Sequence, residues 1–148
     1  MRYIEAPDVF DGAGKSVFMA GGITGCPDWQ TEVAERLAGA DIALLNPRRA
    51  DFPMGDPSAA EFQIRWEHEH LHKATAILFW FPCETLCPIT LYELGTWSMS
   101  GKPIFIGVHP DYQRRQDVEI QSKLARADVQ IVYTVSDLAA QVLAFFLA

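Results

Sequence analysis

The chain has 148 residues, 49% hydrophobic and 21% charged, which suits one globular domain with a sizeable core. Its formal net charge of −7, with 12 Lys and Arg against 19 Asp and Glu, lacks the basic footprint that gripping a nucleic-acid backbone requires and points to small-molecule partners. No apolar run approaches the ~20 residues that span a bilayer, MRYIEAPDVF lacks the basic-then-apolar order of an export signal, and the cysteines are an odd three, which predicts a cytoplasmic protein with reduced thiols and no membrane partner.

Residues 1–14 read as a turn-rich lead-in without clear periodicity. KSVFMA, 15–20, is the first strand, closed by Gly21 and Gly22. Asp28 then caps a helix with Trp29, Val33, Leu37 and Ala40 on one face. A second strand over 42–45 ends at Asn46-Pro47-Arg48-Arg49, and the polar segment ADFPMGDPSAA reads as a loop. A charged helix over 61–74 carries Phe62, Ile64, Trp66 and Leu71. The run AILFWF, bounded by Pro82 and Pro88, is a strand of the buried kind, and the helix after it holds Glu93. KPIFIGV, 102–108, is a fourth strand, 114–126 a charged helix, 130–133 a short fifth strand, and an apolar helix from Ser136 through Phe146 closes the chain. Strands alternating with helices predict an α/β fold: one doubly wound, flavodoxin/Rossmann-like domain over 1–148, with a parallel sheet of about five strands.

In such sheets ligands bind beyond the carboxyl ends of the strands, so the loops there are the candidate site. The first, Gly21-Gly22-Ile23-Thr24-Gly25, lets backbone approach a ligand or simply makes a tight turn. It is not the fingerprint G-x-G-x-x-G, and Asn46 stands where an acid would hold a ribose, so no nicotinamide or other cofactor is expected. The second loop offers Arg48 and Arg49, either as forked donors to a phosphate or carboxylate or as surface charges paired with Asp51 or Asp56. Its place at a ligand edge favours the first use, chiefly for Arg48.

The helix before the third long strand contains His68-Glu69-His70-Leu71-His72, formally H-E-x-x-H, but without a third ligand in any metalloprotease pattern; a solvated helix is the simpler reading, and no metal is expected there or at Cys83-x3-Cys87. Trp66 suits either the core or a stacking platform for a heterocycle. Glu93 lies in the first turns of its helix, where the dipole favours the anion and so a nucleophile needing no deprotonation.

TLYELG, with Thr90 three positions before Glu93, the apolar strand ahead of it and the turn Gly101-Lys102-Pro103 behind, resembles the nucleoside 2-deoxyribosyltransferase family in its divergent, "like" branch. VFMAGGI, DWQ, NPRR, RWE and ELG occur in the family's order. The resemblance implies that Glu93 attacks the anomeric carbon of a 2'-deoxynucleoside to give a covalent deoxyribosyl-enzyme. It implies that an acid in the preceding helix, here Glu67 where the family usually has Asp, binds and protonates the departing base. It also implies an Asp shortly before the nucleophile that contacts the sugar hydroxyls; CETLCPIT has Cys87 there, so either Glu84 substitutes or the sugar is held differently.

On this reading Gly21, Gly22, Ile23, Asn46, Arg48 and Thr90 contact substrate, and Trp29 or Trp66 stacks on the base. The acceptor is another base, as in nucleoside salvage, or water. Two alternatives stand beside it: a nucleoside 5'-monophosphate N-glycosidase with Arg48 and Arg49 on the phosphate, and a catalytically silent nucleotide-binding module. The resemblance further implies a homo-oligomer, a dimer or larger, with Trp66, Trp97, Phe145 and Phe146 available for the interface.

Overall fold

In a computed structural model that describes residues 1–148, the chain forms five strands and five helices. In order these are β1 (Arg2–Glu5), β2 (Ser16–Gly21), α1 (Trp29–Arg36), β3 (Ala43–Asn46), α2 (Pro57–Lys73), β4 (Ala76–Phe81), α3 (Pro88–Ser98), β5 (Ile104–Val108), α4 (Arg115–Ala125) and α5 (Val135–Leu147). The sheet is wholly parallel, ordered β1-β3-β2-β4-β5. This is the α/β, doubly wound arrangement expected from the alternation of elements.

Parallel strands covered on both faces need no polar side, and all six residues of β4 are buried accordingly. Side chains alternate between the faces. Phe18, Ala20, Ile77, Phe79 and Phe81 join a core with Trp66 and Leu71 of α2, Leu94 of α3 and Val118 of α4. Val17, Met19, Leu78 and Trp80 point the other way, against Trp29, Val33 and Leu37 and against Leu138 and Val142 of α5. Helices α2, α3 and α4 therefore cover one face, and α1 and α5 the other. Burying a side chain such as Phe79 contributes about 2–3 kcal/mol.

Three elements depart from the expectation. The lead-in contains β1, which pairs Arg2 to Glu5 in register with Ala43 to Asn46. As an edge strand it is exposed or half-buried throughout, so it shows no apolar run. The expected strand over 130–133 reduces to a single bridge between Gly107 and Val132. The Gln130 carbonyl accepts from the Gln141 side chain, and Thr134 already caps α5 by accepting from the Asp137 amide, so the chain leaves the sheet after one residue. The polar segment before α2 is loop only up to Asp56: its carboxylate accepts the Ser58 amide at 2.9 Å and Pro57 opens the helix, an N-cap and first-turn pair that starts α2 four residues before the expected position. The cap at Asp28 is where the sequence puts it, accepting from the Thr31 amide at 3.2 Å.

Candidate active site

β2 has β3 on one side and β4 on the other, and the chain crosses to opposite sides of it in succession. At such a reversal the loops beyond the strand ends diverge and leave a crevice. A cleft of about 310 Å³ lies there. Its walls are Ala20 and Gly21 at the end of β2, Gly22 to Thr24 after it, Pro47 after β3, Glu67 of α2, Thr85 and Cys87 after β4, and Pro88, Ile89, Thr90 and Glu93 of α3. A larger hollow of about 420 Å³ opens between α3 and α4; its charged groups Arg114 and Asp117 are paired with each other at 3.0 Å.

Glu67 and Glu93 are the only ionisable carboxyls of the cleft, and no Lys, Arg or His lines it. Burial pushes the Glu67 carboxyl up to about 7. Burial, with the charge of Glu67 added, pushes Glu93 up to about 8. The dipole expectation for Glu93 is reversed: Glu93 is the sixth residue of α3, beyond the first turn where the dipole acts, and desolvation dominates. Two neighbouring carboxyls with raised proton affinity behave as a coupled pair that holds a proton near neutrality.

Of the other residues singled out in the sequence, Gly21, Gly22, Ile23 and Thr90 line the cleft with the glutamates. The glycines have close protein neighbours of their own. A Cβ on Gly21 would stand 2.3 Å from the Trp29 ring, and one on Gly22 would meet Cys26 Sγ, Pro82 Cγ and Cys87 Sγ at 2.7 to 2.9 Å. Their Cα atoms are needed bare by the fold itself.

Four expected contacts are placed elsewhere. Trp29 is buried in the α1 core, and its Nε1–H donates to the Gly22 carbonyl at 2.9 Å, so it holds the glycine loop from beneath. Trp66 is 3% exposed, stacks on His70 at 3.9 Å and donates Nε1–H to the Asp8 carbonyl; neither ring offers a face to the cleft. Asn46 is buried, donating to Tyr3 Oη at 2.5 Å and accepting the Arg48 amide at 2.9 Å. The Arg48 guanidinium is consumed within the chain: it donates to the Pro27 carbonyl at 2.7 Å, the Cys26 carbonyl at 2.9 Å and Gln30 Oε1 at 3.1 Å. Neither arginine pairs with Asp51 or Asp56; Arg49 lies over the Phe52 ring.

The loop after β4 carries Thr85, which the sequence gives no reason to choose, and Cys87, which stands where the resemblance implies an Asp. Thr85 and Cys87 line the cleft while Glu84 is exposed, hydrogen-bonded by the Cys83 thiol at 3.3 Å, so it does not substitute for a cleft carboxylate. Tyr112 Oη donates to the Leu86 carbonyl at 2.6 Å while its ring packs on Phe81, so the turn after β5 anchors the loop. Ile89, which the sequence reading passes over, has a local signal, since it stands one helical turn before Glu93 on the same face. His68 and His72 lie 4.4 Å apart by ring centroids, with His72 against Trp97, and no cluster of three or more His, Cys, Asp or Glu side chains is placed to hold a metal ion. No helix is long and apolar enough to cross a membrane.

Comparison with known proteins gives one family. The family model described as nucleoside 2-deoxyribosyltransferase like matches residues 14–112, a span that contains every residue lining the cleft. Among curated proteins nothing matches.

Proposed function

This chain belongs to the nucleoside 2-deoxyribosyltransferase-like family, which supports a nucleoside-processing role and a glycosyltransferase or N-glycosidase type of enzyme, and within it we propose cleavage of the N-glycosidic bond of a 2'-deoxynucleoside through a deoxyribosyl ester on Glu93. The observation that carries this reading is the pair of carboxyls, Glu67 and Glu93, brought from adjacent helices into one cleft with a shared, raised proton affinity.

One proton on the pair gives both groups the reaction needs. The proton rests mainly on Glu93, the group of higher affinity, and the reactive form is the one that carries it on Glu67, from which the Glu93 carboxylate attacks the anomeric carbon. The bond to the base breaks with its electron pair on the base, and the Glu67 proton passes to a ring nitrogen, which spares the heterocycle from leaving as an anion. A second base or water then attacks the same carbon, Glu93 departs as carboxylate, and Glu67 takes up the acceptor's proton. Two displacements retain the configuration, as in retaining glycosidases. Thr90, buried at the cleft wall, and the backbone of Gly22 to Thr24 are the polar groups available to the sugar.

The absence of any cationic side chain from the cleft, and the engagement of Arg48 with three groups of the chain, favour an unphosphorylated nucleoside over a 5'-monophosphate. Assembly into a homo-oligomer belongs to the same proposal. It is supported by Ile89, Tyr92 and Met99, which leave an exposed apolar stripe along α3 beside the cleft. Trp66 and Phe146, expected at that interface, are instead buried in the core, while Trp97 is half-buried and Phe145 exposed.

The test is incubation with deoxynucleosides and deoxynucleotides, with and without a second free base, followed chromatographically. Base release or exchange from nucleosides is expected, lost in Glu93→Gln, with a deoxyribosyl adduct on the Glu93 peptide after acid quenching. An unchanged rate in Glu93→Gln would sink the reading. Light scattering at micromolar concentration checks the assembly, and a monomer there contradicts it.

A further inference from the structure

Two sulfurs flank Gly22. A Cβ built on that glycine would lie 2.7 Å from Cys26 Sγ and 2.9 Å from Cys87 Sγ, so the sulfurs are at most about 5.6 Å apart, with the missing side chain of Gly22 between them. The Thr85 hydroxyl reaches both, at 3.5 Å from Cys26 Sγ and 3.3 Å from Cys87 Sγ. Both thiols are free and buried, yet Cys87 lines the cleft, which gives a small solute a path to it. The glycosidic reaction uses neither. Cys83, the remaining thiol, turns to the Glu84 carboxylate instead.

We propose that Cys26 and Cys87 are a covalent redox site, closed as an intramolecular disulfide by a peroxide that enters through the cleft. The Cys87 thiolate attacks one peroxide oxygen, the O–O bond breaks, and hydroxide leaves to become water as it takes a proton, giving a sulfenic acid on Cys87. The Cys26 sulfur then attacks the Cys87 sulfur, the S–O bond breaks, and the departing hydroxide takes the Cys26 proton as a second water. Two thiols are oxidised and one peroxide is reduced. The sulfurs must close to about 2.05 Å, and the bare Cα of Gly22 leaves that space open. Burial holds the Cys87 thiol above its usual value, so the thiolate is scarce and the step is slow, driven by excess oxidant. Once formed, the bond ties the loop after β2 to the residue that precedes α3, the helix of Thr90 and Glu93.

The site stands independently of the glycosidic reading, and a readout that needs no substrate tests it. The whole chain is treated with hydrogen peroxide, the remaining thiols are alkylated, and the unreduced digest is analysed by mass spectrometry. The expected result is a loss of two hydrogen masses per chain and one cross-linked peptide pair joining Cys26 to Cys87. Both reverse with a thiol reductant and are the same in Cys83→Ser. The oxidised chain should also melt at a higher temperature than the reduced one, because the bond closes a loop of about 60 residues in the unfolded state. Cys26→Ser, with Cys26→Ala as a second variant should the first fail to fold, is expected to lose the cross-link. Pairing of Cys83 with either partner, a disulfide between chains, oxygen added to Cys87 while Cys26 stays alkylatable, or no change under conditions that oxidise a free thiol would each overturn the proposal.

Discussion

Glu67 of α2 and Glu93 of α3 share one cleft, and the charge of Glu67 adds to burial in raising the proton affinity of Glu93. Removing that charge separates the two causes. In Glu67→Gln the burial of Glu93 remains and the like charge is gone, so its pKa should fall from about 8 without reaching the ordinary carboxylate range. The nucleophile works ionised and the acid works protonated, so base release in the wild type should be bell-shaped in pH. The variant should keep only a rising limb, set by the ionisation of Glu93 alone, on a rate reduced ~10²- to 10⁴-fold. A pH–rate profile of both proteins checks the pair.

The same carboxyls set a pH dependence of folding. Their folded pKa values, about 7 and about 8, lie above the 4.5 expected of the unfolded chain. The folded protein therefore binds more protons between pH 4.5 and 8, and their contribution to stability, complete below that window, is lost as pH rises through it. Glu93→Gln removes the burden of the buried charge and should stabilise the unliganded protein at pH 8 by on the order of 2 kcal/mol, with little gain at pH 5. Urea midpoints at the two pH values measure this.

His70 acts in the opposite direction. It is fully buried, its Nε2 accepts the Phe10 amide at 3.0 Å and its Nδ1–H donates to the Trp66 carbonyl at 2.7 Å, which fixes the neutral ring. Desolvation lowers its pKa from 6.5, so below 6.5 the unfolded chain takes up a proton that the folded chain refuses, and stability falls as pH falls toward the folded value. His70→Gln should flatten this acid limb. Amide exchange at Phe10 should be faster in the variant than in the wild type at neutral pH.

Arg48 decides between a phosphate contact and a structural strut. Its guanidinium makes three hydrogen bonds to the segment Cys26 to Gln30, so Arg48→Met should cost about 2–3 kcal/mol of stability. Any loss of turnover should then be equal for nucleosides and 5'-monophosphates. A loss confined to the phosphorylated substrates would assign Arg48 to ligand.

Gly22→Ala should destabilise by about 1–3 kcal/mol through overpacking, because the new methyl meets two sulfurs and Pro82 inside 3 Å. Denaturant titration measures it. Paired with Cys26→Ala, which vacates one of those positions, part of the loss should return.

Legibility in the sequence followed burial. β2, β3, β4 and β5 can be read from their apolar runs, because parallel strands covered on both faces carry no polar side. β1 cannot: RYIE holds two charges and lies at the sheet edge, where only its hydrogen bonds to β3 define it. Glu93 stands out through the resemblance that TLYELG carries, since a lone glutamate near a helix start is commonly structural. Arg48 has a suggestive place, yet its side chain turns to carbonyls 18 to 22 residues away in sequence, a choice set by tertiary hydrogen bonding. The same holds for Trp29 and Trp66, whose indole N–H groups find buried carbonyls in the fold.

The strand order has one further consequence. β2 is the third of five strands, and the cleft draws its walls from β2 and its two immediate neighbours, β3 and β4, with the helices that follow β3 and β4. β1 and the Val132 bridge lie at opposite rims and contribute nothing to it. The sheet can therefore gain, lose or remodel strands at either margin while the three central strands keep the carboxyls in place, so variation in chain length within this architecture belongs at its edges.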